Sequence, residues 1–480
     1  MIEELTDDLH DLIDKVEIEV AEDLEELPEE NVTYLVDECI SFDYDGLINS
    51  FSDAKNSNTV EISRNEETRT EYTEAGVYDE IVTSIHESDE YKSIVKSVCD
   101  RKIIEEFTDD EEKEIYEADI PEQLEEPIFL INNFVNIAID ETIEAYGDDE
   151  NLSDTVKTEL ISALFNELRN SPTDWKLTIW LLGIGAEFEE TKLSDDTVIA
   201  QPVKEDLTTE IRLDTRVSPE LTILPRDPPT LKISREVTVE DKFELRKEEY
   251  VILSLMRLYA SGSCKIVGKL SEPDSPLLAS NKDWTDETMD GFSFAKLEEG
   301  DDEHIENCFS EIEGPFRENI INSTDTNYLS IAYDRYEEGL VNATSTEAVI
   351  ASSIMCLEAL YLKEQENSEL SHRLSERVSI LLGFLDAPEM EIYQKVKNGY
   401  DIRSSYVHGS SVDDEDYTEL SLQLLNIARK SLVLHLQIST EMDKDKIIGD
   451  LDKCTVIPES RDSTKEDVEN ICGYKPLRNH

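Results

Sequence analysis

Six apolar residues, Leu370, Leu374, Val378, Leu381, Leu382 and Leu385, recur at steps of three and four, a spacing that an α-helix collects on one side. In a chain so rich in Asp and Glu, that stripe has to be buried against other helices, and the neighbouring sequence provides them. Thr344-Ser-Thr-Glu347 has the form of a capping box, with Thr344 accepting from a free backbone N–H and Glu347 reaching back. The helix it opens carries Val349, Ile350, Ile354, Leu357 and Tyr361 on one side. A third helix is expected to bring Met390, Tyr393, Val396 and Tyr400 to the core, and a fourth Tyr417, Leu420, Leu424, Ile427, Ala428 and Leu432. Four antiparallel helices with short connections predict a four-helix bundle.

Elsewhere the pattern changes twice. From Met1 to about Pro172 apolar residues keep helical spacing. Val156, Leu160, Ala163, Leu164 and Leu168 follow Ser153 as N-cap, and similar stretches lie near 4–26, 78–106 and 124–146. From Trp175 onward short β-rich runs are divided by polar or Pro-containing turns: Thr197–Gln201, Glu210–Leu213, Leu221–Leu224, Leu231–Val239 and Cys264–Val267. They predict a β sandwich or barrel. Gly183 and Gly185 form a bare Gly-x-Gly without the third glycine and following helix of a dinucleotide site, so they are read as turn glycines. Leu297–His304 reads as a charged linker.

The expected fold class is therefore α+β and multidomain. A helical N-terminal region covers 1–172, a β-rich sandwich or barrel-like domain 173–300, an all-α bundle 305–440, and a C-terminal tail 441–480. The tail, with Lys444, Lys446, Lys453, Lys465, Lys475 and Arg478 among its acids, lacks a strong period and is expected to be a loosely packed extension.

Charge sets the environment. Lys and Arg number 44 against 113 Asp and Glu, a formal charge of -69 spread along most of the chain. At low ionic strength such a surface repels itself. At molar salt the Debye length falls to about 3 Å and the repulsion is screened, so a halophilic cytoplasm is the expected setting. Disorder is not expected, because 39% of residues are hydrophobic and fall in periodic runs. Seven scattered Cys, an odd number without a Cys-x-x-Cys pair, indicate neither a disulfide framework nor a zinc site. No metal or cofactor is expected, and Gly-x-Ser-x-Gly, His-Glu-x-x-His and Walker loops do not occur. The start Met-Ile-Glu-Glu-Leu-Thr-Asp-Asp has no basic or apolar leader character, and no run reaches the roughly 20 apolar residues of a membrane span. A cytoplasmic protein without membrane contact is expected.

Between the third and fourth helices lies Tyr400-Asp-Ile-Arg403-Ser-Ser-Tyr-Val-His408-Gly409. Ile402 and Tyr406, one turn apart, are expected to face the core together, and Gly409 suits a left-handed C′ position. Arg403 and His408 would then sit near a helix end beside Ser404 and Ser405, able to share a small pocket. The spacing alone carries little, since Arg429 and His435 give a second hit. There, a six-residue step inside one helix turns the side chains apart.

Met355-Cys-Leu-Glu358-Ala-Leu360, Leu374-Ser-Glu-Arg377-Val-Ser-Ile-Leu-Leu382 and the Tyr400–Gly409 segment, in this order and separation, resemble the HEPN superfamily, the higher eukaryotes and prokaryotes nucleotide-binding domain. Within it they are most similar to the ApeA-like branch. The resemblance covers residues 325–440, and the β-rich region is similar to what often precedes this domain in that branch. It implies a homodimer in which two Arg/His motifs face each other across a cleft and cut single-stranded RNA without metal, in a defence or growth-arrest effector. His408 would take the proton of a ribose 2′-OH as general base. Arg403 would clamp the phosphate and stabilise charge on its oxygens, and the products would be a 2′,3′-cyclic phosphate and a 5′-hydroxyl.

Around this pair the candidates divide. Glu358 either orients Arg403 or is a solvated helix carboxylate, Ser404 is a candidate to bond phosphate, and Asp401 is a further orienting candidate. Arg377 either pairs structurally with a carboxylate or touches RNA. Arg373, Arg377, Lys395, Lys397, Arg403, Arg429 and Lys430 make 370–435 locally richer in cations, enough for a basic cleft in an acidic shell, with Tyr393, Tyr400 and Tyr406 nearby for stacking. The competing reading is a non-catalytic scaffold for dimerisation or nucleotide recognition, in which Arg403 and His408 only fix the helix end.

Overall fold

The structure, a computed structural model, describes residues 2–24, 29–40, 61–72, 75–106, 122–147, 151–169, 172–203, 209–212, 229–239, 242–260, 262–278, 280–285, 295–298, 300–323, 326–408 and 417–476. Helix and sheet are mixed, with an antiparallel sheet in the middle of the chain and helices to either side. Among the described residues no helix is long and apolar enough to cross a membrane.

Helices α1 (Ile2–Leu24), α2 (Ala75–Glu87), α3 (Asp89–Glu106), α4 (Glu122–Gly147) and α5 (Asp154–Leu168) fall where the periodicity places them. Leu9, Leu12, Val16, Ile131, Phe134 and Leu164 are buried together in a core of their own. Ser153, in extended conformation, caps α5 by accepting from the Val156 N–H at 3.3 Å. Lys157 ties α5 to α1 through Glu17 at 2.6 Å and Asp14 at 2.8 Å. The N-terminal region is not helical throughout, however. Strands β1 (Glu29–Ile40) and β2 (Glu61–Tyr72) pair antiparallel along their whole lengths. The run Val32-Thr-Tyr-Leu-Val36 has the β-branched and aromatic content that favours a pleated surface.

The middle region contains β3 (Thr173–Leu182), β4 (Ile184–Ala186), β5 (Glu190–Lys192), β6 (Thr197–Ala200), β7 (Thr209–Arg212), β8 (Leu231–Val239), α6 (Lys242–Tyr259), β9 (Lys265–Pro273), β10 (Asn281–Trp284) and β11 (Ala295–Leu297). Six strands form one sheet in the order β10-β9-β3-β8-β6-β5, paired antiparallel throughout. β7 leaves it to pair with β1, and β11 runs parallel to β4. The expected sandwich or barrel is thus corrected to an open six-stranded sheet, with β4 and β11 as a separate two-stranded ladder. Its face bearing Leu177, Ile179, Leu181, Ile199, Leu231 and Ile233 is covered by helices, first by Val251, Ile252, Leu255 and Met256 of α6, so no second sheet is needed to bury it. The opposite face carries a small separate cluster in which Trp180 and Trp284 lie 4.9 Å apart. Gly183 takes φ +91°, as a turn glycine does, whereas Gly185 is a strand residue of β4. Leu221–Leu224 lies outside the described residues.

The C-terminal region comprises α7 (Asp302–Phe316), extended by a π turn over Arg317–Ile321, α8 (Tyr328–Glu337), extended likewise over Glu338–Asn342, α9 (Thr346–Tyr361), α10 (Leu370–Gly383), α11 (Glu389–Val407), α12 (Thr418–Ile438), α13 (Lys444–Cys454) and α14 (Pro458–Ile471). The four helices expected from the spacing are α9 to α12, and α9 packs on α8, α11 and α12. They do not form a separate core. Apolar residues of the sheet, of α6 to α8 and of α9 to α14 are buried as one cluster. Leu297–His304 is not a linker, since Leu297 ends β11 and Asp302–His304 open α7. Gly300 takes φ +96°, and fully buried Asp301 accepts the Glu298 N–H at 2.8 Å.

Three local expectations are corrected. The N-cap of α9 is Ser345, which accepts from Ala348 N–H at 3.2 Å, one residue later than the capping box predicts. On α11 the buried residues are Ile392, Val396, Gly399 and Ile402, while Met390 is 70% exposed and Tyr406 45%. The tail is packed and not loose. Ile447, Ile448, Leu451, Val468 and Tyr474 are buried, and Gln437 exchanges bonds with the Tyr474 backbone at 2.9 and 3.0 Å.

Candidate active site

Gly399 lies in the middle of α11, where its backbone approaches two neighbouring helices. A Cβ there would stand 2.5 Å from Leu424 Cδ1 on α12 and 3.0 Å from Ile354 Cδ1 on α9. One turn further on, Arg403 donates from Nη2 to Glu358 Oε2 at 3.1 Å, and Glu358 is itself one turn beyond Ile354. The glycine's missing side chain therefore brings α11 close enough to α9 for this ion pair to form. Burial pushes the Glu358 carboxyl above its ordinary value, with the Arg403 charge opposing the shift. Tyr400, half-buried on the same side of α11, has its hydroxyl raised by burial and by the Glu358 charge. Arg403 Nε is buried and meets no hydrogen-bond partner among the described residues.

His408 ends α11. Its N–H donates to the Ser404 carbonyl at 3.2 Å, and the residue is exposed. Five residues of helix turn a side chain by about 140° net, so Arg403 and His408 leave α11 on different sides. No hydrogen bond joins Arg403 to His408 among the described residues. Ser404 and Ser405 are part-exposed beside Arg403, and the Ser405 hydroxyl donates to the Asp401 carbonyl at 3.1 Å. Asp401 is exposed and Tyr406 and Val407 present apolar surface next to His408. Gly409 lies outside the described residues.

Arg377 belongs to a different cluster. It is 1% exposed and bonds Glu366 at 2.6 and 2.7 Å, Asp452 at 2.7 and 3.0 Å, and the Tyr361 carbonyl at 2.8 Å. With its donors directed at these partners it is the structural one of the two alternatives, and an RNA contact is ruled out by its burial. The guanidinium holds the Glu366 carboxyl down at about 2. The basic cleft is corrected as well. Arg373 pairs with Glu366, Lys395 with Glu391, and fully buried Arg429 donates to the carbonyls of Leu258 and Tyr259. His435, whose ring lies 4.8 Å from that of Tyr361, is completely buried, which pushes its imidazole down to about 3. Arg429 and His435 are therefore core residues. Gly399 and Asp452 were not singled out by sequence. A glycine inside a helical run was the available signal for the first, whereas nothing in the sequence marks which carboxylate meets Arg377.

Among the described residues no group of three or more His, Cys, Asp or Glu is placed to hold a metal ion. No protein-family model, no curated protein and no solved structure matches this chain.

Proposed function

We propose that this protein is a metal-independent endoribonuclease of HEPN type that acts as a homodimer on single-stranded RNA, in a defence or growth-arrest role. The observation that carries the reading is the Arg403–Glu358 pair. A guanidinium held by a half-buried carboxylate on a packed helix, and itself part-exposed, is preorganised to clamp a phosphate. His408 supplies the base. It removes the 2′-OH proton, the 2′-oxygen attacks phosphorus, and the 5′-oxygen leaves and takes up a proton from water, giving a 2′,3′-cyclic phosphate and a 5′-hydroxyl. Because Arg403 and His408 diverge on one α11, each site combines Arg403 of one copy with His408 of the other. The exposed Tyr406 and Val407 beside His408 supply apolar surface for that contact.

The divergence of the two side chains is also what favours a second reading, a non-catalytic dimerisation or nucleotide-binding scaffold in which the Arg403–Glu358 pair only fixes α11. Labelled single-stranded RNA incubated with the protein in about 2–3 M KCl, so that the acidic surface is screened, and with EDTA present, separates the two. Cyclic-phosphate ends from the wild type, absent with Arg403→Ala and with His408→Ala, support the nuclease. Folded, dimeric wild type that leaves RNA intact, both as the full chain and across a range of RNAs, supports the scaffold.

A further inference from the structure

Leu277, in the connection between β9 and β10, belongs by sequence to the middle region, yet its side chain is buried in the core of helices α1 to α5. Asn133 of α4 donates from Nδ2 to the Leu277 carbonyl at 3.2 Å. Leu278 packs both ways, against that helical core and against Trp175, Val239 and Leu245 of the sheet side. Among the described residues, these two leucines are what the chain beyond residue 172 contributes to the helical core. The junction beside them is polar and open. A cleft of about 610 Å³ is lined on one wall by Glu159 and Glu167 of α5 and on the other by Asp174 and Asp274, with no Lys or Arg among the described residues that line it.

We propose that the Ser275–Leu278 segment is a salt-dependent latch, which holds α1 to α5 against the sheet when salt screens the two acidic walls and releases them when it does not. The plug is apolar and attracts at any ionic strength. Repulsion between the walls reaches over a Debye length of about 10 Å at 0.1 M salt but only about 3 Å at 1 M. Ionic strength therefore moves one side of the balance and leaves the other in place. The released helices keep a core of their own, so they part from the sheet as a unit. They stay tethered by the chain from α5 into β3 and by the pairing of β1 with β7.

The test follows hydrogen exchange of the full chain by mass spectrometry at about 0.3 and 2.5 M KCl. Peptides covering 273–278 and the part of α4 around Asn133 should exchange about tenfold faster at the lower salt, while those of α9 and α12 change less than about twofold. Glu159→Gln combined with Asp274→Asn should return the 273–278 peptide at low salt toward its slow, high-salt rate. Glu306→Gln combined with Glu318→Gln removes the same charge from exposed positions outside the cleft and should not. Leu277→Ser should make the peptide fast at both salts. Acceleration shared equally by α9 and α12, or equal rescue by the two charge-removing pairs, would overturn the proposal. Should Leu277→Ser not fold, lost protection in α9 and α12 reveals it, and the two charge-removing pairs still decide.

Discussion

Gly399 and Leu424 face each other so closely that α11 and α12 leave no room for a β-carbon at position 399, which would stand 2.5 Å from Leu424 Cδ1. An exposed helical glycine replaced by alanine would gain about 1 kcal/mol of helix propensity. Here the gain is offset by overpacking against two fully buried side chains, a cost of roughly 1–3 kcal/mol. Gly399→Ala is expected to be neutral to about 2 kcal/mol destabilising, and Gly399→Val worse, in chemical denaturation. A clear stabilisation by alanine would show that α11 does not pack as described.

Arg377 joins α10 to α13 through Asp452 and to the turn after α9 through Glu366. Arg377→Ala leaves largely buried Glu366 with only the part-exposed Arg373 as counter-charge, and a loss of roughly 3 kcal/mol is expected. Asp452 is 46% exposed, so Asp452→Asn should cost only about 1 kcal/mol. Denaturant midpoints with matched slopes measure both. Equal effects of the two variants would contradict the asymmetry in burial.

The depressed Glu366 carboxyl makes the same cluster pH-sensitive. Its stabilising contribution is present above the ordinary carboxylate value of 4.5 and is lost as pH falls toward about 2, because the unfolded chain then binds a proton that the folded one excludes. The stability gap between wild type and Glu366→Gln should narrow between these limits and stay constant above pH 5. A gap that widens on acidification would reverse the assignment of charge to this pair.

Mixing tests the composite site. Arg403→Ala and His408→Ala, each inactive alone, should regain up to half of the wild-type sites per mixed dimer when refolded together, since one site of that dimer receives both intact side chains. Failure of the mixture, with wild type active and mixed dimers demonstrated, would place both residues of each site in one chain. Glu358→Gln should reduce cleavage about tenfold while the dimer persists, through a less firmly held guanidinium.

Salt provides the last prediction. A formal charge of -69 should make the unfolding temperature rise steeply between about 0.1 and 2 M KCl, with most of the gain coming before the Debye length falls to about 3 Å. A salt-independent unfolding temperature would mean that the acidic surface does not govern stability.

The places where sequence reasoning succeeded share a cause. The stripe from Leu374 to Leu382, the Ser153 cap and the β8 strand are specified by residues within a few positions of one another, and local periodicity is read without knowledge of the partner. On α11 the same reasoning found Val396 and Ile402, which are buried, but misplaced Met390 and Tyr406 and passed over Ile392. The helical period admits more residues than the neighbouring helices cover, and it does not say where along α11 that cover ends. The segment after 441 was misread because its apolar residues are sparse, yet they fill gaps left by α10 and α12.

The amino-acid order by itself determined the acidic surface, helices α9 to α12 and the placing of Arg403 and His408 near the end of one of them. Tertiary structure alone decided that the six-stranded sheet and those helices share one core, that Arg377 closes on Asp452, and that Arg403 pairs with Glu358 while His408 is exposed. The physical reason is range. Helix and strand patterns arise from interactions over one or two turns, whereas the partner of a buried charge is set by which distant elements the whole packed core brings within about 3 Å.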